Sequence, residues 1–149
     1  MPVVHAEQDI PDVTPAQVWA AVADFERYPA VMPNVLAVTF LERDAHTAVS
    51  AWRILLEGTE MTWEERDVFE PYHSIRFEQI DGDLAAFRGA WLLTDLGGAV
   101  RVRLSLEFDI GIPSLAAVLN PLGAEAIRGN AEEMLAAIRA RVGVLERAS

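Results

Sequence analysis

The stretch that decides the fold is residues 120–145, NPLGAEAIRGNAEEMLAAIRARVGVL, near the end of the chain. Asn120 is a favourable helix N-cap, and Pro121 suits the first position of a helix. The apolar residues that follow recur mainly at helical steps, which places them on one helix face: Ile127, Met134, Leu135, Ile138, Val142 and Leu145. The spacing predicts one amphipathic helix of about 25 residues, roughly 37 Å long.

Asn130 is a polar residue inside that apolar face, between Ile127 and Met134. A buried amide without hydrogen-bond partners costs about 1–3 kcal/mol, so it needs a polar group opposite. Two interpretations remain open. The amide bonds a strand backbone or a neighbouring side chain, or it binds a ligand.

The segment before this helix has the pattern of an antiparallel sheet. Val3–Ile10 has the pattern of a first strand, and Thr14-Pro15-Ala16-Gln17 is a capping box that starts a short helix. Pro29 and Pro33 then break the chain twice, which predicts a second short helical turn. Further turn signals lie near Asp44–Thr47, Glu57–Thr59, Glu70–Ser74, Asp81–Asp83 and Gly97-Gly98. This spacing predicts an antiparallel meander.

A short helix over Leu115–Leu119 is expected to join the sheet to the long helix. A strongly twisted antiparallel sheet can curl around one helix and leave a cleft between them. We therefore predict a single α+β domain over residues 1–149, in which a curved seven-stranded antiparallel sheet wraps around the last helix.

The composition restricts the classes of function. The chain carries 12 basic residues, all arginine, and 23 acidic ones, for a net charge of −11. That charge repels phosphate backbones and anionic lipid surfaces, so nucleic acid is not an expected partner. No apolar run approaches the roughly 20 residues that span a bilayer, and no secretory signal is recognisable. We expect a cytoplasmic protein without stable membrane insertion.

The sequence also lacks the common signatures of metal and cofactor sites. It has no cysteine, which excludes thiolate chemistry and cysteine-based metal sites. Its histidines, His5, His46 and His73, do not have the spacing of metal ligands. Phosphate-binding and dinucleotide-binding loops are absent too. We therefore expect neither a metal nor a cofactor.

The segment Met61–Phe69 alternates like a strand but carries carboxylates on its more apolar side. That side holds Trp63, Glu65 and Asp67, and it should face inward. The two carboxylates then stand roughly 6.5–7 Å apart along the strand. In a low-dielectric cleft such a pair has at least one raised pKa and can act as a general acid or base.

A second interpretation of this carboxylate pair is open. Both side chains reach solvent near the strand end, or pair with Arg53, Arg76 or Arg88. The pattern of the strand Ala48–Leu56 does not decide whether Arg53 faces inward.

Neighbouring strands supply aromatic and amide side chains on shared faces. Phe77 and Gln79 share one face of a strand, and Phe87 and Trp91 share one face of the next. Such residues suit a pocket for a flat apolar ligand; ordinary core packing is the alternative, above all for the phenylalanines. The polar groups of Trp63, Trp91 and Gln79 need partners when buried, which favours them as pocket residues.

Five short motifs carry a resemblance to a known family: Thr14-Pro15-Ala16-Gln17-Val18-Trp19, Asp24-Phe25-Glu26-Arg27-Tyr28-Pro29, Met61-Thr62-Trp63, Gly89-Ala90-Trp91 and Arg128-Gly129-Asn130. Together they resemble the START-related superfamily with the helix-grip fold, and within it the polyketide cyclase/dehydrase and lipid-transport group. That group includes tetracenomycin-type aromatase/cyclases and coenzyme Q-binding START-like proteins. The resemblance covers roughly residues 3–142 and implies the helix-grip topology.

In the aromatase/cyclases the pocket is lined by an aromatic residue, a tryptophan–serine–arginine alternation, a later tryptophan and an asparagine of the last helix. By motif, these positions are Tyr28, then Trp63, Glu65 and Asp67, then Trp91 and Asn130. Glu65 and Asp67 thus replace the serine and arginine credited with steering the aldol step. An arginine stabilises an enolate by its charge, whereas a carboxylate can act only as a base or, when protonated, as an acid.

The resemblance implies a polyketide aromatase/cyclase-like enzyme that binds a poly-β-ketone and promotes aldol cyclisation or dehydration, with Glu65 and Asp67 as catalytic residues. The alternative is non-catalytic binding or transport of a lipid, an isoprenoid quinone or another aromatic molecule. An acyl carrier protein or polyketide synthase is the implied macromolecular partner. We predict an apolar cavity and ligand-binding residues Tyr28, Met32, Arg53, Trp63, Phe77, Gln79, Phe87, Trp91, Asn130 and Met134, with Arg53 as the cation nearest the carboxylates.

Overall fold

The computed structural model describes residues 2–111 and 116–148. Its elements are β1 (Val3–Pro11), α1 (Pro15–Val22), a 3₁₀ turn (Phe25–Arg27), α2 (Tyr28–Val31), β2 (Val35–Arg43), β3 (Thr47–Leu56), β4 (Thr59–Glu70), β5 (Ser74–Gly82), β6 (Ala86–Asp95), β7 (Ala99–Asp109) and α3 (Ala116–Ala148). The order matches the predicted one of a strand, two short helices, a run of strands and a long helix.

The strands form one antiparallel sheet of seven strands in the order β1-β7-β6-β5-β4-β3-β2. β1 and β2 are therefore its two edges. The pairing of β2 with β3 is interrupted twice, between Val35 and Ala37 and between Phe40 and Glu42. Such bulges bend a strand and increase its twist. The predicted curved seven-stranded sheet is confirmed.

The start of α1 follows the capping box in the sequence. The Thr14 side chain accepts a hydrogen bond from the backbone N–H of Gln17, and the Gln17 side chain accepts one from the Thr14 N–H. Pro15 occupies the first turn, where its missing N–H costs no helix bond. These local signals place α1 directly after β1.

The long helix α3 lies against the inner face of the sheet, as the helix-grip fold requires. Its buried stripe consists of Ile127, Ala131, Leu135, Ile138 and Val142. These side chains join one core with the inward side chains of the strands, Val100, Val102, Leu104, Leu106 and Phe108 of β7 among them. The periodicity of the sequence thus predicted both faces of this contact.

The start of α3 differs from the prediction. The helix begins by Ala116, with Pro121 inside it, rather than at Asn120 as a separate element. Because proline has no backbone N–H, Pro121 cannot donate the helical hydrogen bond to the backbone carbonyl of Ala117. The fixed φ of proline is compatible with the helix. Leu115, where the separate short helix was predicted to begin, lies outside the described residues. Across the described part of the chain, no helix combines the length and apolar character needed to cross a bilayer.

Candidate functional site

The carboxylates of β4 are buried on the inner face of the sheet. Glu65 is 2% exposed and Asp67 is fully buried. The alternation of β4 causes this, because the inward positions on either side of them hold Trp63 and Phe69. Neither carboxylate reaches solvent or an arginine of the described residues, so the alternative interpretation of the pair is wrong.

Hydrogen bonds hold both carboxyl groups in place. The indole Nε1–H of Trp63 donates to Glu65 Oε1 at 2.7 Å, and the hydroxyl of Ser50 donates to Asp67 Oδ2 at 2.6 Å. Trp52 Nε1–H donates in turn to Ser50 Oγ at 2.8 Å. Ser50 and Trp52 lie on β3, where Ser50 pairs directly with Glu65.

The carboxyl groups of Glu65 and Asp67 also influence each other's pKa, so their ionisations are linked. Asp67 Oδ1 is buried and has no hydrogen-bond partner among the described residues. Because two ionised carboxylates buried side by side would repel each other, we expect the pair to hold one proton between them, as carboxylate dyads do. We refer to Glu65 and Asp67 together as the carboxyl dyad.

Burial changes the acidity of this dyad. It raises the pKa of Glu65 well above the usual value, and the neighbouring Asp67 adds to the rise. Burial also raises the pKa of Asp67, although hydrogen bonds from Glu65 and Ser50 oppose that rise. The dyad therefore keeps its proton at pH values where exposed carboxyl groups are ionised.

An apolar cavity of about 60 Å³ lies between the sheet and α3, with Glu65 in its wall. It is lined by Phe25, Trp52, Ile54, Leu56, Trp63, Phe77, Phe87, Trp91, Leu104, Leu106, Ile127, Asn130 and Met134. Six of the predicted ligand-binding residues are in this wall: Trp63, Phe77, Phe87, Trp91, Asn130 and Met134. The volume is far below the roughly 300–1,000 Å³ of common ligand pockets.

Tyr28 and Met32 do not line the cavity, contrary to the prediction. Both are buried in the core below it, and the Tyr28 hydroxyl donates to the backbone carbonyl of Val22. The Tyr28 ring packs edge-on against Trp52 and Trp91, with ring centroids 5.6 and 6.2 Å apart. Both side chains, at the start and just after the end of the short helix α2, belong to the hydrophobic core, and linear spacing could not show this.

Gln79 lines a smaller adjoining pocket of about 20 Å³, whose wall shares Trp63, Phe87 and Ile127 with the cavity. Its side-chain amide donates to the backbone carbonyl of Leu84 at 2.8 Å. That hydrogen bond closes the turn between β5 and β6, so the amide has a structural partner.

Arg53 faces outward, so it is neither a ligand-binding residue of the cavity nor the cation of the dyad. It is exposed and forms an ion pair with Glu60 at 3.3 Å. The reason is the pleat of β3, whose inward positions are taken by Trp52 and Ile54. None of the described side chains that line the cavity is basic.

Asn130 lies in the cavity wall, half-buried, without a strand partner among the residues described. Its Nδ2 donates only to the sulfur of Met134 at 3.7 Å, a weak acceptor, and its Oδ1 is buried with no partner in the same set. The amide therefore leaves a free acceptor at the cavity, which favours the ligand interpretation over the structural one.

Sequence reasoning missed Ser50 and Trp52. The signal was weak, because Val49, Ala51 and Leu55 on the other side of β3 are as apolar as the inward residues Ala48, Trp52 and Ile54. The two indoles of Trp52 and Trp63 stack across the strands, with ring centroids 5.7 Å apart and planes within 4°. In the part of the chain that the structure describes, no cluster of three or more histidine or acidic side chains could hold a metal ion.

Solved structures share this architecture. The protein TTHA0849 from Thermus thermophilus is 26% identical, with a TM-score of 0.88 over 99% of this chain and 100% of that one. A START superfamily protein from Mycobacterium smegmatis is 17% identical, with a TM-score of 0.81 over 96% of this chain and 98% of that one. The second likeness shows the fold alone.

Two characterised proteins are similar in sequence. The granaticin polyketide synthase bifunctional cyclase/dehydratase of Streptomyces violaceoruber is 29% identical over 123 residues, 78% of this chain and 38% of that protein. The ribosome association toxin RatA of Pseudomonas aeruginosa is 28% identical over 106 residues, 70% of this chain and 74% of that protein. The chain thus spans well under half the length of the cyclase/dehydratase, and the two relatives have different functions.

A family model described as polyketide cyclase/dehydrase and lipid transport matches residues 11–135, most of the chain. The match includes both short helices, strands β2 to β7, the carboxyl dyad and the part of α3 that carries Asn130. Together with the seven-stranded sheet closed by α3, this match shows that the chain belongs to the polyketide cyclase/dehydrase and lipid transport family and has the helix-grip fold.

Proposed function

We propose that this protein binds a poly-β-ketone or a related aromatic intermediate between the sheet and α3 and promotes its aldol cyclisation or dehydration. The observation that carries this proposal is the carboxyl dyad, whose Glu65 lies in the wall of an apolar, aromatic-lined cavity. A carboxyl group that keeps its proton near neutral pH can transfer it to and from a carbonyl compound. Family membership supports the same reaction class.

The dyad can supply both proton transfers of an aldol dehydration. Glu65 gives its proton to the departing hydroxyl group while the carbon–oxygen bond breaks and water forms. The proton on the carbon next to the carbonyl passes to the carboxylate that remains, and the carbon–carbon double bond forms. The dyad ends with the proton count with which it began, so it acts as a catalyst.

A polyketide needs more space than the present cavity offers. The half-buried side chains of the wall include Trp63, Phe87 and Met134, which can move without exposing the centre of the core. We therefore infer that a ligand separates α3 from the inner face of the sheet and displaces these side chains. An acyl carrier protein is the proposed donor of such a chain.

The test is co-expression with a minimal polyketide synthase, followed by chromatography and mass spectrometry of the products. The protein should convert the mixture of spontaneous cyclisation products into one main product. Glu65→Gln should reduce that conversion by about 10²–10⁴-fold, the usual contribution of general acid–base catalysis. Glu64→Gln is the matched control, since this side chain lies one position along β4 on the outer face. An unchanged product mixture with wild-type protein would exclude the catalytic proposal.

A second function, non-catalytic binding or transport of a lipid, quinone or aromatic molecule, is favoured by one observation. Among the described residues, no basic side chain lines the cavity to stabilise an oxyanion, whereas enzymes of carbonyl chemistry usually provide such a group. Native mass spectrometry of protein purified from its own host tests this function. A retained ligand together with an unaltered polyketide mixture would favour binding over catalysis.

A further inference from the structure

The polar side chains beside the dyad form a chain of hydrogen bonds that runs from Trp52 to Ser50 and from Ser50 to Asp67. An indole N–H can only donate, so Ser50 Oγ accepts from Trp52 at 2.8 Å. The single hydroxyl proton of Ser50 is then directed at Asp67 Oδ2, 2.6 Å away. Asp67 therefore receives a donor whose orientation is determined by Trp52.

The same reasoning applies to the other member of the dyad. Trp63 Nε1–H donates to Glu65 Oε1, so that oxygen is an acceptor and carries no proton in this contact. Asp67 Oδ1 lacks a donor among the described residues other than the Glu65 carboxyl. With the proton on Glu65, the Asp67 anion accepts from Glu65 and from the Ser50 hydroxyl; with the proton on Asp67, the Glu65 anion accepts from Asp67 and from the Trp63 indole. The Ser50 hydroxyl is polarised by the hydrogen bond that it accepts from Trp52, which makes it the stronger donor, so this arrangement favours the anion on Asp67.

We propose that Ser50 and Trp52 are positioning residues that hold Asp67 as the anionic member of the dyad, so that the shared proton resides on Glu65 at the cavity wall. Neither residue touches the reacting atoms in this proposal. Trp52 orients Ser50, Ser50 stabilises the Asp67 anion, and Asp67 orients the Glu65 proton.

The charged surroundings of the dyad make this hydrogen bond important. Among the described residues, Tyr28 of α2 is a further titratable group near the dyad, because the charges of Glu65 and Asp67 raise its pKa. Asp24 also raises the pKa of Tyr28. Both are acids, and no arginine of the described residues contributes to the acidity of either dyad carboxyl. Because the described surroundings supply no cation, hydrogen-bond donors are the means by which the fold stabilises one buried negative charge.

For chemistry, the inference rests on the proposed function and deepens it. A protonated Glu65 is a hydrogen-bond donor, so the ligand atom that meets it is an acceptor such as a ketone oxygen. The dyad charge behind Glu65 repels a carboxylate ligand. The site therefore suits neutral ketones and not fatty acids or other organic anions.

Titration of the unliganded protein tests the proton assignment without any assumption about catalysis. Side-chain ¹³C resonances of Glu65 and Asp67 report the two macroscopic ionisations of the dyad. Ser50→Ala should raise the midpoint of the first ionisation by about one pH unit or more, roughly tenfold in the acid dissociation constant. Ser50→Thr keeps the hydroxyl and should restore the wild-type midpoint.

Trp52→Phe is a second variant that keeps an aromatic ring in the core and leaves Ser50 in place. It should shift the same midpoint upward by a smaller amount, because the Ser50 hydroxyl loses its orientation. If neither Ser50→Ala nor Trp52→Phe moves the midpoint by more than about twofold in the dissociation constant, the positioning role is refuted.

The co-expression assay separates this inference from the proposed function. A shifted titration in Ser50→Ala together with no effect of Glu65→Gln on products would uphold the proton assignment and refute catalysis. An unshifted titration in Ser50→Ala together with a large effect of Glu65→Gln on products would refute the proton assignment and uphold catalysis. If both hold, the pH profile of product formation by Ser50→Ala should move upward with the titration, and Ser50→Thr should return it.

Discussion

Raising the pH should weaken the fold through the buried Glu65, and Glu65→Gln should abolish this weakening. The folded protein binds the Glu65 proton more tightly than the unfolded chain does, because burial raises the pKa of Glu65 well above the usual 4.5. The unfolded chain therefore releases that proton first as the pH rises. Unfolding becomes more favourable from about pH 4.5 upward, until the folded state also ionises.

The magnitude follows from the linkage between proton binding and folding. Each pH unit in this window removes about 1.4 kcal/mol from the free energy of unfolding for one retained proton. For a domain of this size, that equals roughly 3–6 °C in Tm per pH unit. In Glu65→Gln the amide keeps a donor for Asp67 but has no proton to release, so the difference in stability between variant and wild type should grow with pH.

Urea unfolding at pH 5, 6 and 7, followed by tryptophan fluorescence, measures this difference. Glu64→Gln, on the outward side of the same strand, should run parallel to wild type and so corrects for the general effect of the net charge of −11. If Glu65→Gln also runs parallel to wild type across this range, the buried Glu65 does not retain its proton. The dyad would then be ionised, and the proposed proton chemistry would lose its basis.

Three further substitutions test the packing around the site. Asn130→Leu removes a buried acceptor without a partner among the described residues, so the free energy of unfolding in urea should rise by about 1–3 kcal/mol; a loss of stability would mean that the amide has a partner. Gly89→Ala should lower it by at least about 1–3 kcal/mol, because the new Cβ would collide with the backbone oxygen of Ser105 on β7; an unchanged Tm would contradict this contact. Gly129→Ala meets no atom within 4 Å and should raise stability by about 1 kcal/mol through helix propensity, so a fall in Tm would show a contact that the structure lacks.

Periodicity predicted the parts of the site that depend on one strand or one helix face. The alternation along β4 placed Glu65 and Asp67 on the inner face, and the helical spacing placed Asn130 towards the sheet. Both depend on local geometry, in which the side chain follows from the backbone repeat. The helix-grip topology came from family resemblance in addition to these patterns.

The errors arose where tertiary contacts decide the position of a side chain. Tyr28 and Met32 lie in or beside a four-residue helix whose direction depends on the core, and spacing carries no information about that direction. Arg53 was ambiguous because β3 is apolar on both sides near its end. The proton shared by the dyad depends on Ser50, a residue of another strand, and this pairing requires the register between β3 and β4.

The two interruptions in the pairing of β2 affect how this sheet meets other chains. An open sheet exposes unpaired N–H and C=O groups on its edge strands, which can recruit a strand from another molecule. The bulges bend the β2 edge, and its exposed end carries Glu42 and Arg43, whose charges would have to lose water in any new pairing. The opposite edge, β1, presents Glu7 and Asp9 and ends at Pro11, which has no N–H to donate. Both edges of the grip thus oppose aggregation by strand addition.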